Sequence, residues 1–100
     1  MIPARVKVVG KTYVINVVEK VDDEDSMGEV DHASQRILIK SAQTLQAEQD
    51  TLLHETLHAI EHAMDMEFDE TEIHRLTAGL LQVLRDNPAF TRFILSKPKP

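Results

Sequence analysis

No cysteine occurs among the 100 residues. That absence excludes a disulfide framework, a thiolate zinc site and a cysteine nucleophile, so any metal must be held by His, Asp or Glu. Long apolar runs are missing too. None approaches the roughly 18 residues that a bilayer span needs, and the opening Met1-Ile2-Pro3-Ala4-Arg5 lacks the charged-then-apolar build of a signal peptide. The chain therefore reads as cytoplasmic, without a membrane partner. Positive charge is scarce, 11 Lys and Arg against 17 Asp and Glu for a net charge of −6. This argues against a nucleic-acid footprint, and only Lys97-Pro98-Lys99-Pro100 is locally basic. The length leaves no room for a second core, so residues 1–96 are expected to form one domain and 97–100 a flexible tail.

What is present divides into a strand-like first part and a helical remainder. Val6 and Val8, then Tyr13, Ile15 and Val17 beyond Gly10-Lys11, alternate with polar residues, which predicts a hairpin with Gly10 supplying positive φ at the turn. The acids Asp22-Asp23-Glu24-Asp25 repel one another into a solvated loop. Gly28-Glu29-Val30-Asp31, a turn near Ala33-Ser34 and Gln35–Lys40 predict a second hairpin, for a sheet of three or four strands. From Thr44 the period changes: Leu45, Gln49, Leu53, Leu57, Ile60 and Met64 trace one stripe of a helix running roughly to Met66, expected to rest on the sheet. A second helix follows Asp69, with Ile73, Leu76, Leu80, Val83 and Leu84 on one side, and stops at Asn87-Pro88. Phe90, Phe93 and Ile94 predict a short last helix capping the core. The fold class is α+β.

The first long helix carries His54-Glu55-Thr56-Leu57-His58, an HExxH arrangement. Residues four apart stack one turn above each other, so both imidazoles can address one ion, and Glu55 projects beside it, where it can deprotonate a bound water. The chain's own 5 His and 9 Glu give roughly 0.02 accidental matches. With Leu53 at zero and 100° per residue, His54 and His58 fall at about 100° and 140°, while Leu57, Ile60 and Met64 lie within about 40° of zero. The histidines thus avoid the apolar stripe. Zinc is the natural ion, because imidazole suits borderline metals and bound zinc brings the pKa of water toward about 7.

A catalytic zinc site needs a third protein ligand. His62 keeps the register but sits about 12 Å along the axis from His54, too far to share an ion. Glu61 lies one turn after His58, and ligation from it would require three consecutive turns to converge, so a role beside the ligands or at the surface is preferred. Beyond Asp69, Glu70 and Glu72 both stand at the margin of the second stripe. An Asp69 N-cap with Glu72 three residues on gives Glu72 a capping role and leaves Glu70 freer.

Gly28-Glu29-Val30-Asp31, Ile37-Leu38-Ile39, Thr51-Leu52-Leu53-His54-Glu55 through His58-Ala59, and Glu70 with Ile73, Leu76, Leu80-Leu81 and Asp86-Asn87-Pro88 together resemble small phage-encoded zinc metallopeptidases, similar to the ImmA/IrrE-type peptidases and the minigluzincins. The resemblance spans roughly residues 28–90. It implies a small sheet packed on the HExxH helix, a second helix bearing the glutamate ligand at Glu70, and a short C-terminal helix. It also implies hydrolysis of a peptide or protein substrate by a zinc-bound water that Glu55 activates, with His54, His58 and Glu70 as ligands. An extended substrate could pair with the sheet edge at Arg36–Lys40, and Tyr13, His32 and His74 are the donors available to an oxyanion. The competing expectation is a zinc-stabilised module that binds a protein partner with little or no turnover; Glu55, which a structural ion does not need, speaks against it.

Overall fold

The first turn is set by two residues at positive φ, Val9 at 46° and Gly10 at 85°. Such a pair is a type I′ arrangement, whose twist matches that of the strands it joins. It connects β1 (Arg5–Val8) to β2 (Lys11–Val18) in antiparallel register, with Val8 opposite Lys11. A second hairpin joins β3 (Gly28–Asp31) to β4 (Arg36–Lys40). Its turn is held by the Asp31 carboxylate, which accepts from the Ala33 and Ser34 amides, and Gln35 takes φ 55°. The computed structural model describes residues 1–99. The expected tail over 97–100 thus includes one residue, Pro100, that lies outside the described residues.

The hairpins meet along a parallel seam between β2 and β4, giving a four-stranded sheet of order β1-β2-β4-β3. The expected placing of Arg36–Lys40 at an edge is therefore corrected: β4 is paired on both sides, and the edges are β1 and β3. Alternation in a sequence tells which face a side chain occupies but not which strand lies beside it. Tyr13, Ile15, Ile37 and Ile39 point to one face and form the core with Val8 and with Ala59 of the first helix.

That helix, α1 (Leu45–Ala63), starts at Thr44, whose side chain accepts from the Ala47 amide. Gln43 anchors it to the sheet. Its amide nitrogen donates to the carbonyls of Lys40 and Met27, and its oxygen accepts from Thr51 on α1. The helix ends at Ala63 rather than near Met66. Asp65 takes φ 54°, the Met66 amide donates to the Glu61 carbonyl and the Asp65 amide to that of His62. This is a Schellman stop with aspartate where glycine is usual. The face on the sheet is also rotated from the expected stripe: Ala59, Leu52 and Ile60 pack against the core, whereas Leu45 and Met64 are exposed.

Helix α2 (Glu70–Asp86) packs on α1. It buries Ile73 and Thr77, while Leu76, Val83 and Leu84 of the expected stripe face outward. At about 1.5 Å per residue its 17 residues span about 25 Å, and α3 (Pro88–Leu95) folds back against α2 alone. It has no buried residue, and Phe93 is 77% exposed, so the expected capping of the core by Phe90, Phe93 and Ile94 does not occur. No helix among the described residues is long and apolar enough to cross a membrane.

Gly28, at the start of β3, lies where the sheet closely approaches α1. A Cβ there would lie 2.6 Å from Thr51 Cγ2 and 2.9 Å from the Leu38 carbonyl oxygen. The carbonyl belongs to the neighbouring strand and cannot swing away. Gly28→Ala is expected to destabilise the fold by about 1–3 kcal/mol. Gly79→Ala, in open space on α2, is expected to stabilise it by up to about 1 kcal/mol through helix propensity. Urea denaturation of both variants checks the opposite signs.

Candidate metal centre

Two neighbouring turns of α1 and the first turn of α2 supply the centre. His54 and His58 aim their Nε2 atoms at each other across 3.2 Å. The Glu70 carboxylate reaches over both, with Oε1 2.8 Å from His58 Nε2 and Oε2 3.2 Å from His54 Nε2. Among the described residues these three form the one group of His, Asp or Glu side chains able to hold a metal ion. Their spacing fits an ion: donors about 2.0–2.1 Å from a tetrahedral centre stand about 3.3 Å apart. His54 is buried, whereas the Glu70 side chain is 66% exposed, so the trio has a closed floor and opens toward solvent.

Glu70 arrives there because its neighbour is engaged elsewhere. Asp69 accepts from the Glu72 amide at 2.8 Å and Glu72 accepts from the Asp69 amide at 2.9 Å, a reciprocal capping box. Glu72 is thereby turned back on its own helix end. Glu70 is left at the first helical position, where the helix dipole favours a carboxylate.

Glu55 is buried beneath β3, its Cγ 3.5 Å from where a Cβ on Gly28 would stand. Burial pushes its pKa up to about 7; the positive charge of His58 opposes this, and the carboxylates of Glu70 and Glu29 add to it. Burial also lowers the pKa of His54, against the pull of Glu70. At His58 burial acts downward as well, but the hydrogen bond to Glu61 and the charges of Glu70 and Glu55 outweigh it and hold the imidazole above its ordinary value.

The remaining candidates separate clearly. His62 is not in the trio and stacks on His32, with ring centroids 4.0 Å apart and planes within 3°. Tyr13 is in the core with its hydroxyl 3.2 Å from His32 Nδ1. His74 stays beside the centre, its ring centroid 4.6 Å from that of His54 and its Nε2 3.9 Å from Glu70. Sequence reasoning missed the wall of the adjoining cleft of about 190 Å³, where Asp25, Ser26 and Met27 face Asp50 and Thr51 across His54, Glu70 and His74. The acidic loop gave a signal of exposure, with nothing in its pattern to indicate that it reaches α1.

Glu70→Ala should weaken divalent-metal binding far more than Glu72→Ala, whose cost should appear as about 0.5–2 kcal/mol of lost capping stability; metal titration followed by calorimetry separates the two. Glu55 yields a pH signature in the chelated protein. Its folded-state pKa of about 7 exceeds the ordinary 4.5, so the fold holds this proton more tightly than the unfolded chain, and stability falls as pH rises between those values. The loss is on the order of 3 kcal/mol. Glu55→Gln should remove that slope, and melting temperatures at pH 5 and pH 8 check it. No protein-family model, curated protein or solved structure matches the chain.

Proposed function

We propose that the chain is a zinc-dependent metallopeptidase of the ImmA/IrrE and minigluzincin kind, phage or mobile-element encoded and acting in the cytoplasm on a peptide or protein substrate. The observation that carries this reading is Glu55: a buried carboxylate on the helix turn that brings His54 and His58 together with Glu70. A structural ion has no use for such a group, whereas hydrolysis by a metal-bound water needs a carboxylate beside the ion to take the proton. His54, His58 and Glu70 would hold the zinc, a donor set of two imidazoles and one carboxylate that matches known hydrolytic centres. When bound, zinc supplies Lewis acidity that polarises the scissile carbonyl and makes water easier to deprotonate.

The protein's own groups carry the proton. Glu55 accepts it from the attacking water and returns it to the amine of the breaking C–N bond, so the carboxylate is restored with each turnover. His74, on the open side next to Glu70, would donate to the oxygen that gains charge. Tyr13 and His32 are engaged with each other. Of the two sheet edges, β3 is the one that Gly28 brings against Thr51 and Glu55, so an extended substrate would pair there. Backbone pairing along such an edge gives affinity without demanding a deep pocket.

Glu55→Gln is expected to keep zinc and fold while losing about 10²–10⁴ in hydrolysis rate, since the amide preserves shape but cannot accept the proton. The measurement is cleavage of a broad peptide library by the zinc-loaded wild type and variant. A loaded wild type that cuts nothing, with partner binding unaffected by Glu55→Gln, would favour the zinc-stabilised binding module instead.

A further inference from the structure

Glu61 sits on α1 one turn beyond His58 and outside the ligand trio, yet both of its oxygens are engaged. Oε1 lies 2.9 Å from His58 Nδ1, and Oε2 accepts from the backbone amide of Phe68. The side chain is only 14% exposed. We propose that Glu61 is the positioning residue of the metal centre: it fixes His58 in the tautomer that presents a bare Nε2, and it ties that imidazole to the peptide leading into α2. The inference rests on the reading of His54, His58 and Glu70 as ligands.

The argument follows from donors and acceptors. An ionised carboxylate only accepts; Glu61 faces Nδ1 and Glu70 faces Nε2, so with a metal ion on Nε2 the hydrogen belongs on Nδ1, where Glu61 accepts it. A neutral imidazole has one hydrogen, so Nε2 is left with its lone pair, and Nε2 is the atom that faces His54 and Glu70. Carboxylates in this position orient metal-binding histidines and increase their basicity. The second oxygen extends the effect along the chain. Phe68 stands two residues before Glu70, between the Asp65 turn that ends α1 and the Asp69 cap that starts α2. One side chain thus orients the second ligand and fixes the approach of the third.

The same geometry makes Glu61→Gln a specific test. The Phe68 amide still needs an acceptor, so the glutamine oxygen takes that place and its NH₂ turns toward His58 Nδ1. Nδ1 must then accept, which moves the imidazole hydrogen to Nε2 and into the metal site. The side chain keeps its volume and its link to Phe68, so the fold persists. Zinc affinity, measured by competition with a chromophoric chelator, should fall about 10–100-fold. In metal-free Glu70→Ala protein at alkaline pH, where no second carboxylate competes for the imidazole hydrogen, ¹⁵N chemical shifts of His58 should report hydrogen on Nδ1 with Glu61 present and on Nε2 when Glu61→Gln is added. Unchanged affinity, or lost affinity with an unchanged tautomer, overturns the inference while leaving the trio intact. A wild type that takes up no zinc overturns the trio itself, and the tautomer measurement then still decides whether Glu61 orients His58.

Discussion

Everything in this small protein is arranged around bringing the first turn of one helix onto the side of another. Two imidazoles one turn apart on α1 define a line, and a third donor must come from outside that helix, because a straight helix cannot bend three of its own turns onto one point. The connection therefore decides the site. Asp65 in the left-handed region, the Glu61 bond to Phe68 and the Asp69–Glu72 capping box are successive devices within a few residues. Each removes a degree of freedom between His58 and Glu70. The sheet plays a supporting part, holding α1 through Gln43 and the Ala59 face so that the opposite flank stays free for α2.

The centre is asymmetric in its exposure, and that asymmetry organises the charges. His54 and Glu55 lie on the buried side, Glu70 and His74 on the open side. A cation held among them would have a buried nitrogen floor and an exposed carboxylate rim, so an approaching ligand meets the rim first. The absence of a side chain at Gly28 lets β3 lie directly over Thr51 and Glu55, which places the open strand edge and the buried carboxylate on the same flank of α1.

Much of this was legible in the sequence, and the misses have definite causes. Both hairpins, both helix starts and the four-stranded limit of the sheet follow from alternation, Thr44, Asp69 and the Gly10 turn. The separation of Glu70 from Glu72 followed from capping chemistry, which acts within three residues and so survives without tertiary information. The end of α1 was missed because the left-handed residue is Asp65, whose side chain does not advertise that conformation as glycine does. Strand order was missed because a parallel seam leaves no local signature. Leu76, Val83 and Leu84 are exposed although they belong to the apolar stripe of α2, because periodicity reports such a stripe but not what covers it. The contact between His58 and Glu61 was within reach, since residues three apart on a helix are neighbours.

The parallel seam shapes how the molecule assembles itself. Within each hairpin the paired residues are separated by a short turn, as with Val8 and Lys11 or Asp31 and Arg36, whereas the seam joins Val14 to Arg36 and Val18 to Lys40 across the whole acidic loop. Two ribbons can therefore zip independently, while their docking must first close the longer loop against its entropy and against the mutual repulsion of Asp22, Asp23, Glu24 and Asp25. The non-local cost of building the sheet is thus concentrated in one five-residue ladder, and that ladder also carries Ile37 and Ile39, on which α1 comes to rest.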